Sequence, residues 1–145
     1  MKTRFGILLF VMLVSACSKT QPAAEADAES DNPNQVLYDQ VMDVHDEVMP
    51  RMDDIMKLKR SLQEQIANTP DMVVERKQQL EKIISNLDSA SSAMMNWMHE
   101  FNPLPDTVDQ ELAREYLEEE MEKIRKVKTL MLESIDKAKQ ENNNQ

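Results

Sequence analysis

The sequence predicts an all-α protein, an antiparallel three-helix bundle. Three observations carry that expectation. Apolar residues recur at three/four spacing along three long segments. The only glycine is Gly6, so the rest of the chain lacks the residue that favours tight hairpins and left-handed backbone. Proline and capping signals divide the chain at 69–70 and again at 102–107, and such short connections make successive helices antiparallel neighbours.

The first sixteen residues stand apart from that pattern. Lys2 and Arg4 form a basic start, Phe5–Val14 is an apolar run, and Val14-Ser15-Ala16 leads into Cys17, the sole cysteine. The run is too short to remain as a spanning helix, and small residues before a cysteine read as a bacterial lipobox. Residues 1–16 are therefore expected to be a cleaved lipoprotein signal peptide, with Cys17 acylated by diacylglycerol and an N-linked chain such as palmitate. Two or more acyl chains anchor stably, at about 0.8 kcal/mol per buried methylene. Ser18 stands where inner-membrane retention commonly uses Asp, which favours the outer membrane. With Cys17 given to lipid, no thiol is left for a disulfide, a thiolate metal site or a nucleophile. The expected partner of this end is the lipid bilayer.

Residues 17–33 read as a flexible acidic tether. Gln21-Pro22-Ala23-Ala24-Glu25-Ala26-Asp27-Ala28-Glu29 and the residues after it are small, acidic and punctuated by proline, with little to bury. Extended, this segment reaches up to about 55 Å. The whole chain carries a net charge of −10, and the leader holds basic residues but no acidic ones, so the remainder is more acidic still. That balance excludes nucleic acid as a partner and disfavours lying flat on an anionic lipid surface.

The bundle is expected over 34–141, in helices of about 34–68, 70–101 and 106–141. In the first, Leu37, Val41, Val44, Val48, Ile55, Leu58 and Leu62 form one stripe, and Met42, His45, Met49, Met52 and Met56 a second beside it. Pro50 cannot donate to the Asp46 carbonyl, yet the apolar phase runs through it, so a kink is expected rather than a break. The second helix opens with Thr69 as N-cap, Pro70 at the first position and Asp71 in the first turn. Leu80, Ile83, Leu87, Ala90, Met94, Trp97 and Phe101 line its inner face. Asn102-Pro103-Leu104-Pro105 ends it. The third helix opens at Asp106-Thr107, with Thr107 and Gln110 as a capping box. Leu117, Met121, Ile124, Val127, Met131, Ile135 and Ala138 are its inner face, while Glu118–Glu120 and the later Lys/Glu pairs read as solvated. Asn142–Gln145 should fray.

If the first turn centres on Thr69, residue i of the first helix lies near residue 138 − i of the second. His45 then faces Ala93 and Met94, and Met42 lies near Met95 and Met98. The methionines, the imidazole and the sole Trp thus gather at one end, beside the kink. Thioethers and imidazole suit Cu(I), so His45 with Met42, Met49, Met94 and Met98 is a candidate soft-metal site. The competing reading is that methionine fills irregular gaps beside a kinked helix and needs no cofactor. His45 and His99 differ in level by roughly 9 Å along the axis, too far to share one ion. An enzyme is not expected. No nucleophile–base spacing, glycine-rich phosphate loop or Glu-x-x-His di-iron pattern is present. An interaction module is the plainer expectation, with Trp97 and Phe101 as candidate partner-binding residues or, alternatively, as caps on the core.

His45-Asp46-Glu47-Val48-Met49-Pro50-Arg51-Met52, Ala93-Met94-Met95-Asn96-Trp97-Met98-His99-Glu100-Phe101 and Tyr116-Leu117-Glu118-Glu119-Glu120, with Ile124 and Val127, resemble a family of small lipoproteins from the Bacteroidota, often labelled "viral A-type inclusion protein". The resemblance covers most of the chain after the tether. It implies a lipid-anchored helical protein of the cell envelope and carries no activity with it. The expectation from sequence is therefore an envelope lipoprotein whose coiled-coil-like bundle is an interaction or structural module, with a protein partner in the envelope and a Cu(I)-binding alternative.

Overall fold

The computed structural model describes residues 32–105 and 107–143. The leader 1–16, Cys17 and the tether as far as residue 31 lie outside the described residues, as do Asp106 and the last two residues. Among the described residues the fold is all-helical: α1 Pro33–Val48, α2 Arg51–Asn68, α3 Val74–Glu100 and α4 Gln110–Asn143. No helix among them is long and apolar enough to cross a membrane.

α1 begins one residue earlier than its apolar stripe suggests. Asn32 accepts a hydrogen bond from the Asn34 N–H through Oδ1 at 3.1 Å, and Pro33 occupies the first helical turn. This is an N-cap followed by the residue best suited to N1. α1 and α2 are the two halves of the first expected helix. Met49 (φ −54°, ψ −41°) and Pro50 (φ −61°, ψ −20°) keep right-handed dihedrals between them. The Met49 N–H still reaches the His45 carbonyl at 2.8 Å, whereas Met52 and Asp53 bond back only three residues, to Met49 and Pro50. Proline's missing donor thus tightens one turn and bends the axis. Val41, Val48, Ile55, Leu58 and Leu62 remain buried on both sides of it, which is why the bend leaves a shared inner face.

The two connections differ from the sequence reading in detail. Thr69 caps the end of α2, its N–H on the Ile66 carbonyl, and the Met72 N–H closes a four-residue turn onto Thr69. Pro70 therefore sits at the second position of a turn, where its fixed φ is equally at home, and α3 starts at Val74 with Val73 as cap. Before α4 the capping residue is Asp109, whose Oδ1 accepts from the N–H groups of Glu111 (2.9 Å) and Leu112 (3.3 Å). A carboxylate caps and complements the helix dipole at once, which displaces the Thr107–Gln110 box.

α4 packs against α1, α2 and α3, and α2 packs against α3. Cross-helix bonds give the directions. Asn34 with Gln110, Glu47 with Lys128 and Ser61 with Asn142 make α1 and α2 run with α4. Lys59 with Asp88 and Gln79 with Glu141 set α3 against both. The core is a continuous column from Val41 and Trp97 at one end to Leu62, Leu80 and Ala138 at the other. Each fully buried Leu, Ile or Met in it contributes roughly 1.5–3 kcal/mol. Glu120, read from sequence as solvated, is 2% exposed. It lies one turn from Leu117 on the inner face and survives there because Oε1 accepts from Lys123 Nζ at 2.7 Å.

Candidate functional site

The longer α2–α3 turn moves the pairing of the helices by about one helical turn. His45 meets Trp97 and Met98, not Ala93 and Met94. His45 is held one turn before the kink with 16% of its side chain exposed. Its Nδ1 lies 2.8 Å from Asp46 Oδ1, and its Nε2 lies 3.3 Å from Met98 Sδ. A carboxylate oxygen only accepts, so Nδ1 carries the proton of that bond. Asp46 escaped the sequence reading as a functional partner, although its place beside His45 was the available signal.

The other expected ligands divide. Met94 is fully buried in the core. Met42 and Met49 are half-buried, three residues before and four after His45, and so share its face. His99 is turned elsewhere, with Nδ1 2.8 Å from the Met95 carbonyl oxygen. Among the described residues no group of three or more His, Cys, Asp or Glu side chains converges on one point.

Trp97 and Phe101 belong to an aromatic ladder. The His45 and Trp97 rings are 5.6 Å apart, Trp97 stacks on Phe101 at 4.9 Å, and Phe101 lies 6.0 Å from Tyr38 and 6.2 Å from Tyr116. Trp97 is only 5% exposed, so its ring is core and offers no face to a partner. This burial favours the other expectation for Trp97, a cap on the core. Phe101 is half-buried and keeps an accessible edge. Tyr116 closes the ladder by accepting the Asn102 N–H at 2.8 Å. Burial raises its phenol above the ordinary value of 10.0, and the Asn102 bond opposes that rise. Trp97 Nε1 and Glu120 Oε2 are buried without a hydrogen-bond partner among the described residues. Phe101 opposite Tyr116 sets an antiparallel register that brings Trp97 and Glu120, each four residues on, to the same level of α3 and α4.

Below the ladder the start of α1, the Pro103–Pro105 segment and α4 enclose a cleft of about 230 Å³. Tyr38, Ala113 and Leu117 line its apolar side, and Asn34, Gln35 and Gln110 its amide side. Asn34 Nδ2 donates to both the carbonyl (2.9 Å) and the Oε1 (2.8 Å) of Gln110, which ties the two helix starts together. No local pattern marks this cleft, because it forms between segments 76 residues apart. Comparison with protein-family models, with curated proteins and with solved structures finds no match for the chain.

Proposed function

We propose that the chain is a lipid-anchored envelope protein, held in the bilayer by acylated Cys17 and more at home in the outer membrane than the inner. Its bundle acts as an interaction or structural module and not as an enzyme. The observation that carries this reading is the run Phe5–Val14 followed by Ser15-Ala16-Cys17, with Cys17 the only cysteine in the chain. The acidic residues up to residue 31 then serve as a tether, and the likeness to the Bacteroidota lipoproteins supports the same address. A stable acyl anchor makes a spanning helix unnecessary. The test is fatty-acid labelling in cells. The wild-type chain should incorporate an alkyne palmitate analogue and accumulate as a larger precursor when signal peptidase II is inhibited. Cys17→Ala should do neither, and labelling that persists in Cys17→Ala would sink the proposal.

One observation favours a second reading, that the envelope module binds a soft metal, Cu(I), through the His/Met cluster. It is the 3.3 Å approach of His45 Nε2 to Met98 Sδ. Imidazole and thioether are both donors that Cu(I) accepts readily.

A further inference from the structure

We propose that His45 Nε2 and Met98 Sδ are two ligands of a site for a monovalent d10 cation, Cu(I) or Ag(I), with Asp46 as the positioning residue. This rests on the soft-metal reading and narrows it to a ligand set. Asp46 takes the Nδ1–H of His45, which leaves Nε2 as the ring nitrogen that can offer a lone pair to an ion. The atom it faces, a thioether sulfur, has lone pairs and no hydrogen to give. The nitrogen and the sulfur face each other across 3.3 Å, close enough for one ion to bond both. A cation with affinity for both nitrogen and sulfur satisfies the pair.

The separation also rules out a linear two-coordinate ion. With bonds of about 2.0 Å to imidazole nitrogen and about 2.3 Å to sulfur, as zinc makes, an ion spanning this pair has an N–metal–S angle near 100°. A two-coordinate ion prefers a straight line. The bent angle calls for a third donor, and the candidates are Met42 and Met49, which flank His45 on the same face of the first helix.

The donor chemistry selects the ion. Neutral thioethers with one imidazole suit a soft monovalent cation, whereas zinc sites draw on thiolates, carboxylates or several imidazoles. The arrangement of Asp46, His45 and ion is the carboxylate–histidine–metal pattern that fixes a ligand's tautomer and raises its basicity. The site is also shielded, since His45 is mostly covered and the Trp97 ring stands 5.6 Å away. Trp97 is the only tryptophan, so its emission reports on a heavy ion bound there.

The experiment is an Ag(I) titration, in chloride-free buffer, of the full chain carrying Cys17→Ser so that no thiol competes. Trp97 fluorescence and the imidazole 15N spectrum are followed, with helicity checked by circular dichroism. The expected result is a saturable 1:1 change. His45→Gln and Met98→Leu should weaken it by roughly tenfold or more at unchanged helicity, and one of Met42→Leu and Met49→Leu should match them. Met56→Leu, at a half-exposed position on α2, should leave the titration unchanged. Asp46→Asn should cost about tenfold, within the range for such outer partners, and turn the single Nδ1–H tautomer into a mixture. That tautomer change would not follow from a merely structural role. Saturable binding that survives both His45→Gln and Met98→Leu overturns this site while leaving the soft-metal reading intact. No saturable change in the parent chain overturns both.

Discussion

Ile124 tests whether α4 is the wall shared by the other helices. It is fully buried midway along α4, among core residues that α1, α2 and α3 all supply. Ile124→Ala removes three carbons, worth about 0.8 kcal/mol each in transfer, or roughly 2.4 kcal/mol. A residual void on the order of 40 Å³ adds about 1 kcal/mol at 24 cal/mol per Å³. The sum, near 3.4 kcal/mol, should lower Tm by roughly 15 °C for a domain of this size. The control is Leu130→Ala on the same helix, where the side chain is 37% exposed and the loss should stay below about 1 kcal/mol. Urea titration and thermal melts followed by circular dichroism measure both variants. A loss under about 1 kcal/mol for Ile124→Ala, at unchanged m-value, would refute the packing assigned to α4.

Five other substitutions probe separate parts of the molecule. Asp109→Ala should cost about 1 kcal/mol by urea titration as the N-cap of α4, and Thr107→Ala should cost clearly less. Arg76→Ala should cost about 2 kcal/mol, because Glu141 keeps only 9% of its side chain exposed and loses its cationic partner. Lys126→Ala, on an exposed pair, should be near neutral in the same assay. The raised phenol of Tyr116 makes stability fully present below pH 10 and lost as pH rises through its folded value. Melts between pH 9 and about 11.5 should show that loss, and Tyr116→Phe should flatten it while removing the Asn102 hydrogen bond, worth about 1 kcal/mol.

Much of the architecture was legible in the apolar spacing. Val41, Val48, Ile55, Leu62, Leu80, Leu87, Met131 and Ile135 lie buried on the faces their periodicity assigned. The kink at Pro50 was legible for the same reason, since a continuous apolar phase cannot survive a true break. Helix ends were less so. Thr69-Pro70 is as good a turn as it is a helix start, and periodicity cannot choose between them when the flanking residues are polar. That ambiguity moved the register by one turn and changed the residue facing His45 from Met94 to Met98. The meeting of imidazole and methionine was readable, but the identity of the sulfur depended on turn geometry. The cleft at the helix starts was hidden because distant segments make it, and Glu120 was hidden because a run of three glutamates reads as a solvated face although its third member shares the phase of Leu117 and Ile124.

The measurement that tests the central claim most directly is mass spectrometry of the N-terminal peptide from protein extracted out of native membranes. The account predicts a peptide that begins at Cys17 and carries a thioether-linked diacylglycerol together with an amide-linked acyl chain. A peptide that retains residues 1–16, or one with an unmodified Cys17 thiol, would contradict it.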